Sequence, residues 1–193
     1  MNNVVFGGTD PRNGKRYTYY ETLGGGEGAR YNKDGMDGVH VLGTNTMNTP
    51  VEVLEMYYPL SIEAYELIPD SGGPGKYRGG VGIKRKYKVE GHESVLTVNT
   101  DWVKQKPDGL LGGEKGSMTR IILNEGTERE TIPSFCKALR TMGDGETFTI
   151  YTGGGNGFGA TRERDLKVIE RDVIDEKISP RAAKKIYGHQ IKK

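Results

Sequence analysis

Residues 81–89 alternate strictly. Val81, Ile83, Arg85, Tyr87 and Val89 share one face, and Gly82, Lys84, Lys86 and Lys88 the other. That period of two, mostly apolar against basic, predicts a half-exposed antiparallel strand. Residues 60–68 alternate too, with Leu60, Ile62 and Ala64 on one side. Residues 94–102 predict another strand, joined to the previous one through Glu90-Gly91-His92 as a hairpin-like turn. Strand–turn–strand recurs at 118–123 and 127–132 around Asn124-Glu125-Gly126, and 146–151 predicts one more strand. Residues 16–22, aromatic and β-prone, read as a strand or a short helix. Residues 51–58 do not settle between the two periods. The opening 1–16 reads as turns at Gly7-Gly8, Asp10-Pro11 and Asn13-Gly14, a frayed end.

Helical patterning is plain only at the end. Leu166, Ile169, Val173 and Ile174 form a stripe opposite charged residues. A second helix starts at Ser179 as N-cap with Pro180 in its first turn and stops at Gly188. The expected class is α+β: mainly antiparallel β, glycine-rich loops and two C-terminal helices, in a single domain spanning 1–193.

Composition refines this picture. Hydrophobic residues make up only 34% of the chain, but its 30 glycines bring the apolar share close to that of ordinary globular proteins, which argues against disorder. A net charge of +2 lacks the basic excess that a nucleic-acid surface needs. Arg181, Lys184, Lys185, Lys192 and Lys193 read as a solvated helix face and tail. No run of 18 apolar residues or leader pattern occurs, and the lone Cys136 fits a reducing, cytoplasmic setting.

Candidate chemistry is sparse. Residues 24–29 match G-x-G-x-x-A, but a turn and not a helix follows at Tyr31-Asn32-Lys33-Asp34-Gly35, so tight backbone packing accounts for them better than a nucleotide does. Gly14-Lys15 and Gly75-Lys76 lack the Ser or Thr of a phosphate loop. His40 with Asp34 and Asp37 has metal-ligand chemistry but no second donor set, and His92 and His189 lie far away in sequence; no metal is expected. Residues 44–52 are dense in Thr and Asn. Either Thr49 and Glu52 form a capping box, or Asn45, Asn48 and Glu52, with His40, line a substrate wall. Residues 70–80 form either an anion-binding nest helped by Lys76 and Arg78, or an ordered connection in which Arg78 pairs with Asp70. Glu163-Arg164-Asp165 reads as a helix start. Cys136 reads as a buried thiol, no nucleophile–base pair is visible, and catalytic residues are unknown.

Several blocks carry a family resemblance in the right order: the glycine and Thr/Asn-rich stretch 20–82, Pro107-Asp108-Gly109-Leu110-Leu111-Gly112-Gly113, the cluster 153–159, Arg164-Asp165, Ser179-Pro180 and Tyr187-Gly188. Together they resemble the C-terminal third of the hydantoinase B/oxoprolinase (HyuB) family, over roughly residues 15–188. Gly159-Ala160-Thr161, where the family runs through Asp-Pro, and Asn156, where it has glycine, are departures at loop positions.

The resemblance implies a split subunit or remnant that completes the B-type fold and part of an active-site wall, inactive alone. It implies an ATP-dependent complex that hydrolyses a cyclic amide such as hydantoin or 5-oxoproline, or carboxylates acetone- or acetophenone-like ketones. Its partners would be an N-terminal HyuB-type chain and a HyuA-type ATPase. No cofactor is expected on this chain alone; ATP and a divalent metal would sit in the partner chains. The rival reading is a non-catalytic structural or interaction module.

Overall fold

The computed structural model describes residues 2–41, 43–106, 108–133 and 137–189. Eight strands form two antiparallel sheets. β1 (Asn2–Thr9), β2 (Arg16–Leu23), β5 (Ser94–Asn99) and β7 (Lys137–Met142) run in the order β2-β1-β5-β7. β3 (Leu60–Leu67), β4 (Ile83–Val89), β8 (Thr147–Tyr151) and β6 (Arg120–Leu123) run in the order β3-β4-β8-β6. The sheets pack face to face, and Phe6 of the first meets Tyr87 and Phe148 of the second at centroid distances of 5.4 and 6.2 Å. With α1 (Val51–Tyr57), α2 (Leu166–Ile174) and α3 (Pro180–Tyr187), the fold is α+β, as expected.

Alternation located β3, β4, β5, β6 and β8. It missed the place of β1: the expected frayed end is a central strand, with Val4 and Phe6 fully buried. Gly7-Gly8 looks like a turn in sequence, yet Gly8 lies where a Cβ would press on the Glu93 carbonyl and the His92 ring. Glu90-Gly91-His92 is a corner that carries the chain from one sheet to the other, and not a hairpin. Gly91 takes φ 72° there and donates its N–H to Asp144 Oδ1 at 2.6 Å. The strand expected at 127–132 shrinks to one bridge, Leu123 to Thr131. Thr127 diverts the backbone into a turn, its hydroxyl donating to Asn124 O and accepting from Arg129 N. β7 lies at the edge of the other sheet, beside β5. Cys136 lies outside the described residues.

The ambiguous run at 51–58 is α1, entered from Pro50 and anchored by the buried Leu54. The stripe expected on α2 is only half right. Ile169 and Val173 face inward, but Leu166 and Ile174 are exposed, and Asp172 takes the buried place between them. The start and stop of α3 are as read: Ser179 Oγ accepts from Ala182 N, and Gly188 ends the helix at φ 69°.

The glycine segments 24–38, 72–82, 109–117 and 153–159 gather at one end of the sandwich, where β2, β3 and β8 end and β4 and β6 begin. They are neither helix nor sheet. Residues 25–29 bond to three neighbours: Glu27 N to Met36 O at 2.9 Å, Gly80 N to Glu27 O at 2.8 Å, and Gly26 N to Gly153 O at 3.0 Å. A strand in a flat sheet has at most two such neighbours, so this is a three-dimensional bundle of backbone. At its centre a Cβ on Gly26 would penetrate Gly80 O, one on Gly80 would penetrate Met36 O, and one on Gly155 would penetrate Glu27 O. Side chains are excluded because carbonyls already fill the space.

The outer faces of the two sheets differ in kind. Across β3 and β4, Lys84, Lys86 and Lys88 pair with Glu66, Glu63 and Glu90. The two middle rows of the other sheet are Thr18–Gly7–Val95–Thr141 and Tyr20–Val5–Thr97–Leu139, with no charge. Tyr20, Val95 and Leu139 are all exposed there.

Gly155→Ala is expected to lower stability in urea titration by more than about 3 kcal/mol, or to prevent folding, because the clash is with backbone. Gly143→Ala, where a Cβ meets nothing within 4 Å, is the matched control and should change it by less than about 0.5 kcal/mol.

Candidate functional site

Two buried ionic clusters hold the loops around the glycine bundle. In the first, Arg78 donates from Nη1 to Asp37 Oδ1 at 3.0 Å and from Nε to Asp172 Oδ2 at 3.4 Å, while its backbone N–H reaches Asp34 Oδ1 at 2.7 Å. Arg164 grips Asp34 with both terminal nitrogens, at 2.8 and 2.7 Å, and Asp172 Oδ2 at 2.6 Å. Lys177 completes the set on Asp37 Oδ2 at 3.2 Å. Burial pushes the Asp34 carboxyl up, but the Arg164 hydrogen bond and charge outweigh it and hold the group below the usual carboxylate range. Asp37 is likewise held down against burial, chiefly by the Val81 N–H and Arg78. The cluster ties α2 to two glycine segments.

The second cluster centres on Glu21. Tyr19 and Tyr87 hydroxyls both donate to its Oε2 at 2.6 Å. Its Oε1 takes the Thr49 N–H at 2.8 Å and the Asn48 side-chain amide at 3.1 Å, with Arg85 Nη1 at 3.1 Å. Burial, then the Glu21 charge, raises both phenol pKa values, so both stay protonated donors.

These clusters redistribute the residues singled out in the sequence. Arg78 is spent on Asp37 and Asp172 and is buried, so it is neither an anion ligand nor Asp70's partner. Asp70 Oδ1 instead accepts from Ser179 N at 2.7 Å. Lys76 points outward toward Glu163 at 3.6 Å. Asn48 is a loop anchor on Glu21. Asn45 is exposed in a turn at φ 34°, and Glu52 is exposed in the first turn of α1. The Thr49–Glu52 capping box does not form, because Thr49 N is committed to Glu21. His92 belongs to the inter-sheet corner, bonded to Tyr17 at 2.7 Å, and His189 lies near Glu170.

His40 alone of that set lines the cleft where the strand ends meet the glycine bundle. The cleft holds about 360 Å³, near the small end of the roughly 300–1,000 Å³ usual for ligand sites. Its floor and walls are backbone of residues 24–28 and 153–155. Side chains are contributed by Asn2, His40, Thr44, Trp102 and Thr119 among others. Most of the wall amides are already used. Gly25 N bonds Val39 O at 3.0 Å, Gly155 N bonds Gly80 O at 2.9 Å, and Gly153 and Gly154 N bond Thr119 and Ser117 hydroxyls at 3.2 and 3.0 Å. Amides committed in this way are not available as oxyanion donors. Among the described residues no group of three His, Cys, Asp or Glu is placed to hold a metal ion, and no helix is long and apolar enough to cross a membrane.

Sequence reasoning missed Asn2, Glu21, Trp102 and Arg164. Asn2 lies in a stretch that reads as frayed, and Arg164 in one that reads as a helix start. Glu21 carries a signal: an acid inside an aromatic strand that also holds Tyr17, Tyr19 and Tyr20.

The profile of the family described as hydantoinase B/oxoprolinase matches residues 1–161. An uncharacterized protein of Methanocaldococcus jannaschii is 43% identical over 99% of this chain and 32% of its own length. A Pseudomonas protein, named as the B-type subunit of a D-/L-hydantoinase, is 34% identical over 96% of the chain and 31% of its own length. Among solved structures, the ATP-dependent caprolactamase of Pseudomonas jessenii superposes with a TM-score of 0.81 at 26% identity, over 98% of this chain and 34% of that one. Nucleotide-free acetone carboxylase shares the fold, with a TM-score of 0.78 at 20% identity over 97% and 29%. The chain thus spans about a third of the length of its curated relatives.

Asp172→Asn leaves Arg78 and Arg164 short of a charge and is expected to cost about 3–5 kcal/mol in urea titration. Asp34 and Asp37 have folded pKa values below their unfolded ones. Their contribution is therefore complete above about pH 4 and is lost as pH falls through the folded values. Stability followed by circular dichroism should drop on that acid limb, and Asp34→Asn should flatten it.

Proposed function

The chain belongs to the hydantoinase B/oxoprolinase family, and on that ground we propose that it is the C-terminal portion of a B-type subunit in an ATP-dependent enzyme that opens a cyclic amide. The observation that carries this reading is the likeness, along nearly the whole chain, to a B-type hydantoinase subunit. The caprolactamase β chain, 28% identical over 96% of this one, is also named for a ring amide. Hydantoin, 5-oxoproline and caprolactam share a C(=O)–N–H unit closed into a ring. ATP-driven opening needs a phosphoryl donor, a nucleophile and groups that stabilise an oxyanion.

Among its described residues this chain supplies none of these alone. It has no phosphate loop, and the amides of its cleft are spent on internal bonds. Its role is to complete the B-type fold and to form one wall of the substrate cavity. An N-terminal B-type chain supplies the rest of the site, any divalent metal included, and an A-type ATPase handles the nucleotide. The uncharged outer rows of the β2-β1-β5-β7 sheet support such assembly, since the opposite sheet is dressed in ion pairs. The N-terminal B-type chain is the proposed occupant of that face.

Purification of the tagged chain from its native host, with mass spectrometry of co-eluting proteins, is expected to recover both partners. The recovered complex should hydrolyse hydantoin, 5-oxoproline or caprolactam only with ATP. A chain that elutes alone overturns the assembly; a complex that instead consumes bicarbonate with acetone overturns the ring-amide reading. Val95→Lys with Thr97→Glu should abolish co-elution of the N-terminal chain while changing stability by less than about 0.5 kcal/mol.

A further inference from the structure

β2, β7, β3 and β6 are the edge strands of the two sheets, and three of them carry a cap on the free side. β3 is interrupted by a bulge between Ile62 and Ala64, and Ile62 N donates to Glu55 Oε1 at 2.9 Å. On β6, Leu123 exchanges both bonds of a bridge with Thr131, at 2.8 and 2.9 Å. On β2, the Thr22 carbonyl accepts the Asn48 side-chain amide at 3.4 Å. β7 has no such contact among the described residues. It pairs with β5 along all 6 of its residues, from Met142↔Ser94 to Lys137↔Asn99, with no bulge and no proline. Bulges, caps and proline protect an edge, and a straight strand without them is a template for another strand.

The direction of its free groups follows from the ladder. Asp10 N donates to Lys15 O at 2.8 Å, so Asp10 faces β2, and in an antiparallel ladder the facing alternates residue by residue. Gly8, Phe6 and Val4 therefore turn N–H and C=O toward β2, and Gly7, Val5 and Asn3 turn theirs toward β5. Their partners Val95, Thr97 and Asn99 face back, which leaves Leu96 and Val98 facing Arg140 and Ala138 of β7. Leu139 and Thr141 thus point their amides and carbonyls away from the sheet. The same count turns the Thr22 carbonyl outward on β2, in agreement with its bond to Asn48. Leu139, 76% exposed, and Thr141 also end the two uncharged rows of the outer face.

Size and continuity select the occupant. Curated relatives carry this segment as about a third of a longer chain, so most of a B-type fold lies outside it. The free edge of β7 runs on directly from the uncharged face assigned above to the N-terminal B-type chain. We propose that an extended strand of that N-terminal chain adds to β7, bonds its main chain to Leu139 and Thr141, and carries uncharged side chains on the outer side. The choice of partner rests on the assembly proposed above.

The test is hydrogen–deuterium exchange of the full chain, alone and in the complex recovered from its native host, read residue by residue. Alone, the Leu139 and Thr141 amides are expected to exchange freely while that of Arg140, bonded to β5, is protected. In the complex the first two should slow by about 100-fold or more. Thr141→Pro removes an outward N–H and no bond to β5, so the lone chain should keep its circular dichroism spectrum while co-elution of the N-terminal chain falls by about 10-fold or more. The exchange measurement on the unaltered chain stands even if that variant fails to fold. A complex in which both amides exchange as fast as in the lone chain overturns the added strand and leaves the assembly intact, as does full co-elution of a folded Thr141→Pro chain. A chain that elutes alone overturns both. Protection of the same amides in a homodimer of this chain overturns the choice of partner.

Discussion

Backbone touching backbone, with no Cβ between, is the constraint on which the rest of this molecule depends. Gly26, Gly80 and Gly155 each stand where a carbonyl of another segment fills the place of a side chain. Such contacts bury little apolar area, so the hydrophobic effect stabilises them weakly. Their order comes from main-chain hydrogen bonds spread over three or more neighbours, which pin residues 24–38 and 153–159 against the strand ends. A chain segment that cannot carry side chains inward must be held in place from outside.

Ionic clusters do that holding. Arg78, Arg164 and Lys177 meet Asp34, Asp37 and Asp172, so three positive charges face three negative ones. Glu21 does the same for the loop that leads into α1. Buried pairs of this kind add little net stability relative to a well-packed apolar core, but breaking one is expensive. They also select geometry, because a fork of fixed shape on Arg164 accepts Asp34 and Asp172 in one arrangement only. Here they orient segments that have no side-chain packing of their own.

This division explains what is legible in the sequence. Alternation depends on nearest neighbours along one strand, and it locates β3, β4, β5, β6 and β8. α3 is legible because Ser179, Pro180 and Gly188 act on their own turns. The corner at Glu90-Gly91-His92 passes for a hairpin because which sheet a strand joins is a long-range matter, and the turn residues are the same either way. Gly7 and Gly8 mislead for a related reason: in β1 they serve close approach, whereas in sequence the pair signals a turn. Long-range ion pairs leave the weakest trace. Arg164 and Asp34 are 130 positions apart, and no local pattern joins them. The candidate site is correspondingly half visible: His40 stands out, Asn2 does not, and Arg78 reads as an anion ligand or as Asp70's partner while it pairs with Asp37 and Asp172.

The same constraint shapes what the cleft can do. Walls made largely of hydrogen-bonded main chain leave few groups free, since the amides of Gly25, Gly26, Glu27, Gly153, Gly154 and Gly155 already have a carbonyl or hydroxyl. Recognition falls to the few side chains that line it, Asn2, His40, Thr44, Trp102 and Thr119 among them. A site with fixed walls discriminates by shape and by the match of its few polar side chains, because a poor match leaves a buried polar atom unpaired. Under the assembly we propose, specificity would sit on this chain and reactivity on another, which accords with the uncharged rows on the outer face of the β2-β1-β5-β7 sheet.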